Sequence, residues 1–223
     1  QLSESDFLKV LFGYFAAAFL IAALAMPDRA GMVTGLWKII SQPSKISTNY
    51  FYVGGYSATF LNMGLVSLLC LALYVLLDAK ATNVSTLAFL LTVGFTSWGI
   101  NVLNMWPSIL GVVLYSLVKR EKLGGNVNAM LFSTGIAPLI TELMVRYPHA
   151  EAVGFRLSGI ALGIAVGVAI GFFLPAGLAH SPNVHKSFSL YNAALPIGMV
   201  AFFLQAVLYK TMGIALPAAP AAN

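Results

Sequence analysis

One cysteine in 223 residues, Cys70, leaves no partner for an intrachain disulfide and no CxxC pair for a metal. Its ordinary role is that of a small buried apolar residue. Acidic residues number only seven and histidines three. No carboxylate pair, GxSxG, HExxH or phosphate-binding glycine loop can be assembled from them, so the expectation is a non-enzymatic protein with no catalytic residue, metal or cofactor. His149, His180 and His185 fall near loops at spacings that do not suggest a metal site. Charge is scarce altogether, at 9% of residues, and the net charge of +5 comes from Lys and Arg at segment ends. Without a basic stripe interleaved with aromatics, nucleic acid is not an expected partner.

What fills the chain instead is apolar sequence: 59% of residues, with a mean hydropathy of +0.87. Such a balance belongs to an integral membrane protein whose partner is the lipid bilayer, and the length is best counted in crossings of roughly 20 residues. The expected fold is all-α, a polytopic transmembrane bundle of about seven segments, at about residues 7–26, 56–77, 84–95, 108–118, 127–144, 157–178 and 188–212. The first is too long for a signal-peptide core and is preceded by Glu4 and Asp6. Residues 1–214 are expected to form one transmembrane domain, with residues 215–223 a disordered low-complexity tail. Between the first two segments, an amphipathic stretch places Trp37, Tyr50 and Tyr52 at headgroup depth. Basic residues divide evenly between the two sides, so orientation stays open.

The segment at 108–118 covers only about half a bilayer, and the sequence before it, Thr96-Ser-Trp-Gly-Ile-Asn101-Val-Leu-Asn104-Met-Trp-Pro107, is polar and ends in proline. This pattern predicts a broken or re-entrant helix, whose freed backbone groups must be satisfied by protein or water. A tilted continuous helix starting near Ile100 is the alternative. Asn101 and Asn104 are therefore candidate substrate-binding residues.

A polar pattern occurs twice: Ser57-Ala-Thr59-Phe-Leu-Asn62-Met-Gly-Leu65 and Ser187-Phe-Ser189-Leu-Tyr191-Asn192-Ala-Ala-Leu195. Both copies open an apolar run, where burying an amide and hydroxyls is costly unless something hydrogen-bonds them. Thr59, Asn62, Ser189, Tyr191 and Asn192 are thus candidates to line a path for a small polar solute or ion, possible elements of an inverted repeat. The same residues could equally serve as interhelical glue. Gly159, Gly163, Gly167 and Gly171 recur every fourth residue, a small-residue face suited to close helix packing. Glu142 and Arg146, four residues apart, are expected to form an interfacial ion pair.

Three stretches, 49–65, 92–107 with Gly111 and Tyr115, and Lys186-Ser-Phe-Ser-Leu-Tyr-Asn192, resemble in order a family of uncharacterised bacterial multi-span proteins, the domain of unknown function fifteen-seventy-six. Members of that family are longer and carry a second copy of the Asn-Met-Gly-Leu pattern, and their counterpart of residues 96–100 is richer in Gly, Phe and Lys. The resemblance implies a polytopic protein of the bacterial cytoplasmic membrane suspected of transport, with this chain as its N-terminal half or a shortened relative. A second half-protein or another copy of the chain is an expected partner. A non-transporting scaffold or accessory subunit, packing through the glycine face, is the rival expectation.

Overall fold

The computed structural model describes residues 3–42, 48–186 and 193–215, and every described element is helical. Ten α-helices follow in order: α1 (Glu4–Ala25), α2 (Met32–Ser41), α3 (Tyr50–Gly54), α4 (Tyr56–Leu76), α5 (Asn83–Phe95), α6 (Trp106–Lys119), α7 (Val127–Ser133), α8 (Ala137–Arg146), α9 (Leu157–His185) and α10 (Ala194–Gln205). Five helical stretches are long and apolar enough to cross a membrane: α1, α4, Leu123–Arg146 through α7 and α8, α9, and α10 with the π-turn that follows it. The shorter apolar helices α5 and α6 occupy the two remaining apolar segments of the sequence.

α1 and α4 run antiparallel. Ser57 Oγ donates to Ala23 O at one end (2.6 Å), and Ala81 N donates to Ser5 Oγ at the other (3.0 Å). Between them Phe12 stacks on Phe89 of α5 with ring centroids 4.1 Å apart and lies 5.6 Å from Tyr74 of α4. α4 begins at Gly55, whose φ of 89° is open to glycine at little cost. A Cβ there would strike Asp28, whose carboxylate accepts from Ser57 N at 3.1 and 3.3 Å. The acid thus caps a helix N-terminus, where unpaired N–H groups and the helix dipole favour negative charge.

α5 and α6 form an open hairpin whose arms pack on α7 rather than on each other. Gly124, just beyond α6, packs against the backbone of Leu77, Asp78 and Ala79, just before α5. Both arms therefore open at one end of the molecule. Thirteen and fourteen residues give arms of about 20 Å, short of the roughly 30 Å hydrocarbon core. α7 contacts both arms and α4, and its Ala129, Met130 and Leu131 are buried.

The span expected as one helix at 127–144 is interrupted. A 3₁₀ turn at Thr134–Ile136, followed by Pro138, separates α7 from α8. α9 runs on to His185 through Pro175 and Pro182, beyond the expected end near residue 178. α2 is the expected amphipathic helix, with Trp37 exposed. Tyr52 is 91% exposed, whereas Tyr50 is wholly buried in protein, its backbone N–H tied to Ser97 O (2.9 Å) and its ring packed with Ile39 and Ala58.

α9 is gripped through its glycines. A side chain at Gly159 would meet the Met144 and Leu143 carbonyls at 2.7 and 2.9 Å; at Gly163, Met144 Cγ at 2.7 Å; at Gly167, Pro107 Cβ at 2.5 Å and Ile140 Cδ1 at 2.7 Å. Gly171 and Gly111 face each other where α9 crosses α6, each within reach of the other's backbone. The four-residue spacing keeps these contacts on one side of α9, which joins α8 to α6.

Candidate functional site at the α5–α6 turn

Residues 96–105 leave the helix and turn back. The last carbonyls of α5 are taken up by N–H groups of the turn and by the Thr96 and Ser97 hydroxyls, while many of the turn's own carbonyls and N–H groups are left without helical partners. Asparagine side chains supply them. Asn62 Nδ2 donates to Thr96 O and Ile100 O, both at 2.9 Å, and its Oδ1 accepts from Val102 N at 3.2 Å. A single amide on α4 therefore staples three backbone groups of the turn. Asn62 lies six residues into α4, about 9 Å from its start, so the staple sits well inside the helical layer.

Asn101 and Asn104 act on each other. Asn101 Oδ1 accepts from Leu103 N (3.0 Å) and Asn104 N (2.9 Å), while Asn104 Oδ1 accepts from Asn101 N (2.8 Å). This reciprocal i, i+3 pair follows the logic of a capping box, built from two asparagines. Asn104 Nδ2 then donates to Gly99 O (2.9 Å) and to Thr141 Oγ1 of α8 (2.8 Å). Asn101 Nδ2 is different: it is buried and has no hydrogen-bond partner among the described residues.

The second interruption lies alongside. Thr92 Oγ1 donates to Leu131 O (3.2 Å) and stands 3.5 Å from Thr134 Oγ1, which donates to the same carbonyl (2.6 Å). Gly99 lies where a Cβ would come 2.9 Å from Pro138 Cγ, so the first turn packs against the proline ring that follows the second. Thr92, Thr134 and Thr141 were not singled out from sequence. Thr134-Gly-Ile-Ala-Pro138 inside an apolar run was the available signal.

Thr59 does not join this network; its Oγ1 returns to Gly55 O of its own helix (2.8 Å). Ser189, Tyr191 and Asn192 lie outside the described residues, and with them the second copy of the polar pattern. Glu142 and Arg146 stand 4.0 Å apart, and Arg146 Nη1 also donates to Ala150 O.

Three cavities border these elements. An apolar groove of about 340 Å³ runs between α5, α7 and α10, from Val84 to Ile100 and Ile197. A polar cup of about 410 Å³ is lined by Asp78, Lys80, Lys122 and Asn128. A third, of about 320 Å³, lies between Trp37, Trp106 and Phe155. Asn62, Asn101 and Asn104 line none of the three. Among the described residues no three His, Cys, Asp or Glu side chains come together as metal ligands.

The stretches that build this turn, 49–65 and 92–107, also fall within a family match. The family described as Protein of unknown function (DUF1576) matches residues 29–210, most of the chain. The chain belongs to this family. Neither a curated protein nor a solved structure matches it. Within DUF1576 this member is an all-helical protein with five apolar helices long enough to cross a membrane, the architecture of an integral membrane protein.

Proposed function

We propose that this chain is a membrane transporter or channel-like protein for a small polar solute or ion, non-enzymatic, seated in the bacterial cytoplasmic membrane, with the solute handled at the α5–α6 turn. The observation that carries the reading is Asn101 Nδ2, a buried amide donor without an acceptor among the described residues, at a ten-residue interruption of the helical layer. Non-helical backbone at membrane depth is kept where protein or a water-filled path satisfies it, and broken helices are a recurrent means of placing polar groups near a transport site. Two amide protons left over after the turn has been stapled suit a passing acceptor oxygen, from water or solute.

The test is flux into proteoliposomes across a panel of small neutral and charged solutes, comparing the unaltered chain with Asn101→Ser. Serine retains an oxygen acceptor for the turn but lacks the amide nitrogen. Transport by the unaltered chain, reduced at least tenfold in the variant at equal thermal stability, is the expected result. Absence of flux for every solute would sink the reading.

A second reading, a scaffold or accessory subunit that packs against a second half-protein or another copy, is favoured by Asn62 and Asn104, whose amides are taken up by backbone and Thr141. On this reading all three asparagines are glue, and Asn101→Ser changes neither flux nor stability.

A further inference from the structure

The seam between α5 and α7 changes character along its length. At the loop end is the cup, lined by Tyr74, Asp78, Lys80, Lys122 and Asn128. Both lysines are exposed, and neither forms an ion pair among the described residues. Neighbouring Glu121 is engaged by Asn126 Nδ2 (2.8 Å), and Lys119 and Arg120 add further positive charge. Asp78 is the cup's only acid, so its two lysines leave it net positive.

Beyond the cup, along α5 and α7, the lining becomes predominantly hydrocarbon. Val84 succeeds Lys80, and Leu131 and Phe132 succeed Val127 and Asn128. Leu87, Leu91 and Phe95 extend the groove along α5, and Ala194 and Ile197 of α10 close its other side. From Val84 to Phe95 is about 16 Å of helix, roughly half of a 30 Å hydrocarbon core and hence the depth of one leaflet. A helix of a second protein would need an apolar face without a cationic end. Free phosphate would use the cup and leave the groove unexplained.

We infer that the α5–α7 seam is a binding site for a phospholipid with an anionic headgroup, its phosphate held in the cup by Lys80 and Lys122 and one acyl chain laid in the groove. Such an occupant matches positive charge at headgroup level and buries methylenes below it, two contributions that add in membrane association. The site is independent of whether the chain transports anything.

The experiment uses the full chain in phosphatidylcholine nanodiscs containing a minor share of phosphatidylglycerol that carries a photoreactive group on its acyl chain. After illumination, adducts are mapped by peptide mass spectrometry. Adducts should concentrate on Leu87, Leu91, Leu131 and Phe132, with about thirtyfold preference over photoreactive phosphatidylcholine, as two lysines acting near a membrane surface would give. The double variant Lys80→Glu/Lys122→Glu should erase the preference. Leu87→Trp, which fills the half-exposed groove without touching the cup, should erase the adducts while leaving the elution profile unchanged. Equal labelling by the two lipids, adducts spread evenly over all apolar helices, displacement by inorganic phosphate, or crosslinks to a second copy would each overturn the assignment.

Discussion

The two interruptions of the helical layer pack together through Gly99 and Pro138, and both use hydroxyls, but only the first adds asparagine amides. The turn at residues 96–105 reverses the chain and relies on three asparagines, one of them from another helix. The turn at Thr134–Ile136 only tightens a span that continues in α8, and threonine hydroxyls reaching carbonyls on neighbouring backbone accompany it. A reversal frees carbonyls and N–H groups together, and an amide, with two donor protons and a separate acceptor oxygen, can serve several of them at once where a hydroxyl has one proton to give. A tightened turn keeps most of its ladder, so a hydroxyl is enough. The larger break thus adds amides to the hydroxyls that both breaks carry.

The contrast can be broken from either side. Asn62→Leu should be the most damaging change, because it leaves two carbonyls and one N–H buried without partners. At about 1–3 kcal/mol for each orphaned group, a loss on the order of 3 kcal/mol or more is expected, read as a large drop in unfolding midpoint in detergent. A near-normal midpoint would mean that water already serves these groups. Gly167→Leu strikes both breaks at once, since Gly167 touches Pro107 beyond the first and Ile140 beyond the second. Overpacking there should cost about 1–3 kcal/mol. An unchanged midpoint would show that α9 can shift away.

Thr134→Val should cost only about 1 kcal/mol, the value of one hydroxyl bond, and a loss as large as that of Asn62→Leu would erase the distinction between the breaks. Smallest of all is Asn101→Ser, expected within about 0.5 kcal/mol of the unaltered chain, since it retains an acceptor for the turn and removes a buried donor that has no partner. A clear destabilisation would instead show that the amide nitrogen finds a partner in the membrane.

Composition made the fold class legible, and hydrophobic runs marked the apolar segments, because exclusion of charge from hydrocarbon acts on every residue of a span. The glycine spacing of α9 was equally readable, since close approach demands a missing side chain at a fixed period. The break before α6 announced itself through Asn101, Asn104 and Pro107. What could not be read was the direction in which each amide would be used. Asn62 reaches turn residues 34 to 40 positions away, a pairing that depends on how α4 and the hairpin are set side by side. The second break was missed because Thr134-Gly-Ile-Ala-Pro138 sits in sequence apolar enough to pass for a continuous helix. The buried position of Tyr50 likewise depends on the bond from its backbone to Ser97, across nearly fifty residues.

The wedging of α7 between the arms of the hairpin has a consequence for biogenesis. A ribosome presents α5 and α6 to the insertion machinery before α7 exists, and neither arm is long enough to be accepted as a lone span. The asparagine-stapled turn would then enter hydrocarbon with its inner face uncovered. Burial of the arms' inner faces therefore waits for α7, and residues 83–133 reach their packed arrangement only after α7 has been made.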